Sequence, residues 1–348
     1  MIIVLSLILI GSLCSCESRI DLGDDGEGMV LMMNAQICTS DSTHYVMLAR
    51  SRVEGVFPVN NAILSCFVNG SLVGESTIVD RIQEIPVSID YDAGQGVSIM
   101  HFNAIFKPAD KVCLKASSEG MNCEVQLTVP SIPKIMKAEA AKCSSEAESE
   151  YWTYRFDVNI KDINNEINFY RFKLLDRSYV QVVKSNENSY YHSGDILVRN
   201  DSEVPVDNTK EPLLNSGERT ISSYFEQGNS YFDNVLNLFT DSAFRDDSYS
   251  MTVYTDKPFS LKPKTMEMGE VMQANNIATI QLMNIGREGY LYLTGYQFNN
   301  SIESGTYLTN DYIFPSNVVG GTGFVAIFTS VEYDIPLSSI RYDDSYYH

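Results

Sequence analysis

Asp162, Asn164 and Glu166 place side-chain oxygens at every second residue, the kind of alternation that calcium loops use, without the twelve-residue spacing and central glycine of an EF-hand. The pattern leaves two readings open, a calcium site or a polar turn. Cys113 and Cys123 flank Ser117-Ser118-Glu119-Gly120 in what reads as a hairpin, where either a cross-strand disulfide or two free buried thiols would fit. Tyr190 and Tyr191 stand beside His192 in a polar surround, where an exposed ring could stack on a peptide or a sugar. His44, His101, His192 and His348 fall in unrelated segments with no HExxH pattern, and no CxxC pair suggests zinc. Gly320-Gly321-Thr322-Gly323 lacks the Lys-Ser/Thr of a P-loop and is better explained as glycines at a tight strand entry. No catalytic constellation stands out, so the expectation is a non-enzyme.

A different chemistry belongs to Cys16. Met1 to Leu13 is almost wholly apolar, too short for a spanning helix of about 20 residues but long enough for the core of an export signal. Leu13-Cys14-Ser15-Cys16 then fits the lipobox pattern of Leu, two small residues and Cys. Residues 1–15 are therefore expected to be a lipoprotein signal peptide, with lipid on Cys16 and a tether over 16–28. Several tens of buried methylenes at about 0.8 kcal/mol each would make such an anchor effectively permanent. Of seven cysteines, Cys14 leaves with the signal and Cys16 is lipidated, which leaves an odd number and so at least one outside any intramolecular bridge.

The elements that must position these residues read as mainly β. From Met29 to Val129, short β-favouring runs alternate with Gly, Pro, Asn and Asp clusters, among them Met29–Cys38, Thr43–Ala49, Ala62–Val68, Val97–Phe106, Lys111–Ala116 and Cys123–Val129. That density is the count of an immunoglobulin-like β-sandwich over residues 29–130. Pro130 and Pro133 disfavour both helix and central strand and mark a boundary. Residues 131–348 read as a larger β-rich domain with one or two helices. Trp152, Tyr154, Phe156, Val158 and Ile160 alternate strictly, and this strand is expected to neighbour Asn168–Leu175 through Asp162–Asn165. Further strands are expected at Ser250–Thr255 and Ala278–Ile285. Helices are expected at Tyr231–Phe239 and Gly286–Asn300, and long loops over Lys184–Arg219.

The chain carries 45 acidic against 25 basic residues, a formal charge of −20, which repels phosphate backbones and argues against nucleic acid as a partner.

Several segments in order resemble a known family, the Bacteroidota lipoproteins with domain of unknown function 4249. The marks are Val46-Met47-Leu48-Ala49-Arg50-Ser51, Pro58-Val59-Asn60-Asn61-Ala62, the prolines before Lys134, and Asn168-Phe169-Tyr170-Arg171-Phe172. Phe239-Thr240-Asp241-Ser242-Ala243-Phe244 and the run from Pro315 to Phe324 complete them. The resemblance implies an outer-membrane lipoprotein facing the cell exterior, an expectation to which the acidic residues Glu17, Asp21, Asp24 and Asp25 also contribute. It further implies a TonB-dependent receptor as partner and a peptide or glycan as ligand. It implies no catalytic mechanism. An adhesive or structural surface protein is the alternative.

Overall fold

The computed structural model describes residues 29–52, 55–77, 80–82, 96–143, 153–163, 166–185, 191–208, 210–215, 234–244, 247–256, 259, 271–302, 316–337 and 341–343. Nine strands fill the first part: β1 (Val30–Cys38), β2 (Thr43–Arg52), β3 (Gly55–Pro58), β4 (Ala62–Val68), β5 (Ser71–Ser76), β6 (Asp80–Ile82), β7 (Val97–Asn103), β8 (Lys111–Ser118) and β9 (Met121–Thr128). Side chains alternate between faces along each strand, so Leu31, Met33 and Ile37 of β1, Leu64 and Cys66 of β4, and Val112 and Leu114 of β8 all point into one core. The result is an immunoglobulin-like sandwich, with β1-β2-β7-β6 on one side and β5-β4-β8-β9 on the other. Both hairpins of the second sheet close on residues of positive φ, Asn69-Gly70 and Glu119-Gly120, the backbone that tight two-residue loops require.

The second part holds β10 (Lys134–Cys143), β11 (Thr153–Lys161), β12 (Phe169–Asp176), β13 (Tyr179–Lys184), β14 (Ile196–Arg199), β15 (Ser202–Val204), α1 (Pro212–Asn215), β16 (Leu238–Thr240), a single 3-10 turn at Asp241–Ala243, and β17 (Ser248–Thr255). β18 (Val271–Asn275), β19 (Ile277–Asn284), α2 (Gly286–Ile302), β20 (Val325–Pro336) and β21 (Arg341–Asp343) complete it. The sheet β17-β11-β10-β21 packs on the strands β15-β12-β19-β20 over Phe156, Val158, Ile160, Tyr170, Phe172, Met251, Ile280 and Leu282. Among the described residues no helix is long and apolar enough to cross a membrane.

β20 joins the two parts. Its later residues run antiparallel to β19, from Asn284 opposite Thr329 to Ile277 opposite Pro336. Its first residues run parallel to β1, from Ala35 opposite Val325 to Cys38 opposite Phe328. One ten-stranded sheet therefore crosses the boundary expected at residue 130, although the two large apolar clusters lie on either side of it.

The segment before β20 is strapped across both sheets of the first sandwich. Met33 N donates to Thr322 O at 2.9 Å and Thr322 N to Leu31 O at 2.9 Å on β1, while Val319 exchanges backbone bonds with Glu124 of β9. A β-carbon at Gly321 would lie 2.3 Å from Leu31 O, and one at Gly323 2.3 Å from Met33 O. Only glycine lets the strap come this close.

Three expectations need correction. β11 and β12 are not neighbours: β11 pairs with β10 and β17, and β12 with β15, β16 and β19, so the chain from Asp162 to Asn168 crosses from one sheet to another. Tyr231–Phe239 does not form a helix over its described part. Asn234 Oδ1 accepts from Leu238 N and its Nδ2 donates to Leu214 O and Leu238 O, turning the chain into β16; polar side chains of this kind compete with helical backbone bonds. The span Lys184–Arg219 contains β14, β15 and α1. The helix expected at Gly286–Asn300 is present as α2, with Tyr290 and Leu293 set on Leu238, Met283 and Phe328.

Gly323→Ala should lower stability by about 3 kcal/mol, because overpacking against Met33 O adds to left-handed strain. Gly120→Ala, with open space around its β-carbon, should cost only about 1 kcal/mol. Urea denaturation of the two variants side by side measures the difference.

Candidate functional site

The crossover from β11 to β12 leaves one sheet at Lys161 and enters the other at Phe169, and such a passage must satisfy its backbone without ladder partners. Asp162 does part of this, donating its N–H to Asp247 O at 2.8 Å and accepting Ile163 N on Oδ1 at 2.6 Å. Asn168 does most of the rest. Its backbone N–H reaches Asp241 Oδ1 at 2.8 Å, and its Nδ2 lies 2.8 Å from Asp241 Oδ2, 2.9 Å from Glu166 O and 3.0 Å from Ile163 O. On its other side Asn168 Oδ1 accepts from Asn284 Nδ2 at 3.2 Å. Asn284 Nδ2 also donates to Ser131 O, to which Thr329 Oγ1 donates as well, and Asn284 Oδ1 accepts from Gly286 N at the start of α2. The proline-bounded linker, the crossover, the 3-10 turn and α2 thus meet in one polar junction.

Asp241 is buried here, 7% exposed. Burial holds its carboxyl above the usual range, against the two Asn168 hydrogen bonds that favour the anion, and the neighbouring Asp162 adds to the rise. Tyr170, 0% exposed, stacks on Phe239 with ring centres 5.2 Å apart. Burial raises its phenol most, and the charges of Asp241 and Asp162 raise it further. Its hydroxyl is buried near Asp241, whose charge disfavours the phenolate.

Of the residues singled out in the sequence, Asp162 is at this junction, and Glu166 contributes its carbonyl while its residue is otherwise exposed. Cys16, Asn164 and Tyr190 lie outside the described residues. Tyr191 is half-buried, and His192 beside it is exposed, its N–H donating to Asp195 Oδ2 at 2.7 Å. His44 is a core residue packed on Phe102 and Phe106, its Nε2 3.0 Å from Ala104 O.

The disulfide reading is corrected: Cys113 and Cys123 are both free. The β8–β9 register sets Cys113 opposite Gln126 and Cys123 opposite Ala116, and the two side chains leave opposite faces of the sheet, Cys123 inward and Cys113 outward. Burial pushes the Cys66 and Cys123 thiols up to about 12.

Asp241 and Asn168 were not picked out as site residues. Asp241 stands among small polar residues with no periodicity, and its partners come from elsewhere in the chain.

A second feature is the outward face of β4, β8 and β9, which carries open grooves of about 460, 450 and 640 Å³. Ile63 (48% exposed) and Val319 (69%) rise beside Lys115 and Glu124, paired at 2.9 Å, with the Lys115 ammonium 6.0 Å from the centre of the Phe67 ring. The face mixes apolar side chains with charge, as protein contact surfaces do.

The model of the family described as domain of unknown function, DUF4249, matches residues 17–334. The chain belongs to this family. No curated protein matches the chain. Among solved structures it is similar, at 7% identity and a TM-score of 0.15, to the C-terminal domain of the AgI/II polypeptide BspA of Streptococcus agalactiae, over 73% of this chain and 94% of that one. A structure described as BspA_C_WT gives 8% identity and the same TM-score and coverage. Likeness this faint carries no argument about the DUF4249 chain.

Asn168→Ala should destabilise the protein by about 3 kcal/mol in urea denaturation, since it strips hydrogen bonds from a buried carboxylate and from two carbonyls. In the native protein at pH 8, iodoacetamide should modify the half-buried Cys38 and Cys113, while Cys66 and Cys123 react only after unfolding. Peptide mapping by mass spectrometry reads the order, and a peptide linking Cys113 to Cys123 would contradict the register.

Proposed function

We propose that this protein is a non-enzymatic outer-membrane lipoprotein of the Bacteroidota type, held by lipid on Cys16 and facing the cell exterior. In this reading it assists a TonB-dependent transporter in capturing a peptide or glycan. The observation that carries the reading is the grooved outer face of β4, β8 and β9, open along its length and mixed in chemistry, which suits contact with an extended partner better than enclosure of a small substrate. The lipobox and the apolar stretch before it support the anchor. The acidic balance supports a role outside nucleic-acid binding. Family membership supports the setting by analogy alone.

The experiment is affinity purification from detergent-solubilised outer membranes. A TonB-dependent receptor should be recovered in near-equal amount with the native protein and should be depleted at least tenfold by Ile63→Asp combined with Val319→Asp. Both side chains are largely exposed, so the fold should survive the change. Recovery of the protein alone would overturn the transporter link, and the adhesive reading would take its place. Cys16→Ala should move the protein from the membrane fraction to the soluble one.

A further inference from the structure

We propose that the end of the grooved face around Ile63, Asn122 and Val319 is the seat for an integral membrane protein, and that the first sandwich stands between the membrane and the second. The inference rests on the lipid anchor and deepens the transporter reading, by saying which part of the face meets the membrane-embedded partner and which does not.

The strand directions fix two poles. β1 begins at Val30, where the tether joins the fold, and its start is level with the β8–β9 turn: Arg50, opposite Leu31, pairs with Glu119 at 3.1 Å. The strap closes the same end. A β-carbon at Gly321 would lie 2.3 Å from Leu31 O and 2.8 Å from Cys123 Cβ, and one at Gly320 2.9 Å from Asn122 O. The grooves of about 460 and 450 Å³, which share Ile63 and Asn122, therefore open beside the entry of the tether. The groove of about 640 Å³ lies at the other pole, lined by Gly70, Lys111 and Thr128. The nine residues of β1 put roughly 30 Å between the poles. β20 runs parallel to β1 and continues from Thr329 to Pro336 past the partner of Cys38, so the second sandwich extends from the far pole.

Chain length then decides which pole stays near the bilayer. With lipid on Cys16, residues 16–28 at up to roughly 3.5 Å each hold Val30 within about 50 Å of the membrane. The near grooves keep that reach for every path of the tether. The far groove approaches the membrane only if the tether is drawn back along the whole sandwich, which uses more than half of its length.

The chemistry of the near end suits a protein surface. Ile63 and Val319 are 48% and 69% exposed, while Glu119 is held by Arg50 and Glu124 by Lys115. Each charged side chain lining the two near grooves thus has its counter-charge within the fold. Anionic headgroups recruit clusters of unpaired Lys and Arg, which these grooves lack among the described residues. In a chain of formal charge −20, a balanced patch with raised apolar side chains is the part best suited to burial against another protein.

The test is site-specific photo-crosslinking of the lipidated full chain in intact cells. The crosslinker p-benzoylphenylalanine replaces Asn122 or Val319 at the near end, and Gln126 or Thr128 at the far end. All four side chains are exposed, so the fold tolerates the replacement. The near positions should give an adduct with an integral membrane protein at ten times the yield of the far ones or more, identified by mass spectrometry of the shifted band. Equal or higher yield from Gln126 and Thr128 would overturn the proposal. So would the absence of an adduct from all four positions, or near-end adducts with lipid or soluble proteins alone. A TonB-dependent receptor that co-purifies yet crosslinks through the far end would sink this inference and leave the transporter reading standing. A near-end adduct with an integral protein of another kind would do the reverse.

Discussion

The parallel pairing of β20 with β1 is the constraint on which the rest of the architecture depends. A parallel pair needs a long connection between its strands, and here almost the whole described chain lies between them. The first sandwich is therefore incomplete until the last long strand has formed. Val318, Val325 and Ile327 fill its core beside Leu31, Met33 and Ile37, and the strap at Gly321 and Gly323 seals the gap between its two sheets. The same strand, a few residues later, pairs with β19 and supports the second sandwich. Contacts of such long sequence separation impose a loop-closure cost early in folding and reward it late, so the two sandwiches should behave as one cooperative unit.

A strand shared between two sandwiches leaves a seam that something must close, and the polar junction stands there. Asn284 ends β19 beside β20, and its side chain holds Ser131 of the linker and Asn168 of the crossover at once. Thr329 of β20 reaches the same Ser131 carbonyl. The linker is thus pinned to the strands that unite the halves. Four of the segments on which the family resemblance rests fall into two spatial groups. The strap sits on β1 and β9, while Asn168–Phe172, Phe239–Phe244 and the linker prolines gather at the junction.

Much of this was legible where one face of a strand is buried and the other is wet. Lys111–Ser118 alternates cleanly, and its strand falls where the pattern puts it, while Ala62–Val68 is legible as a run of β-favouring residues. β10 gave no such signal: Lys134–Cys143 is rich in Ala and Lys and mostly not buried, so its membership in a sheet depends on its neighbours β11 and β21. The polar stretch at Asp162–Asn165 reads as a hairpin because local turn chemistry says nothing of which sheet the chain enters next. The cysteine pair could have been judged from the sequence. With the turn at Glu119-Gly120, the partner of Cys113 is Gln126, three residues beyond Cys123, and an odd offset sets the two on opposite faces. Asp241 was out of reach, because its carboxylate gains meaning only from Asn168 and Asp162, which the fold brings to it from the far side of β12.

The carboxylate pair invites comparison with an acid–base site, and burial decides against that for this cluster. A general acid or base must reach the proton of a bound substrate directly or through one water. Asp241 is 7% exposed and Tyr170 not at all, and the oxygens of Asp241 are already engaged by Asn168. The raised carboxyl of Asp241 therefore records the cost of burying charge at a seam, not a group poised to exchange protons with a ligand. A seam built this way is stabilised by whatever neutralises it. The open surface that could meet a large partner lies on the other sandwich, on the outward side chains of β4, β8 and β9, so this molecule separates the place where its halves are joined from the place where contact with another molecule is available.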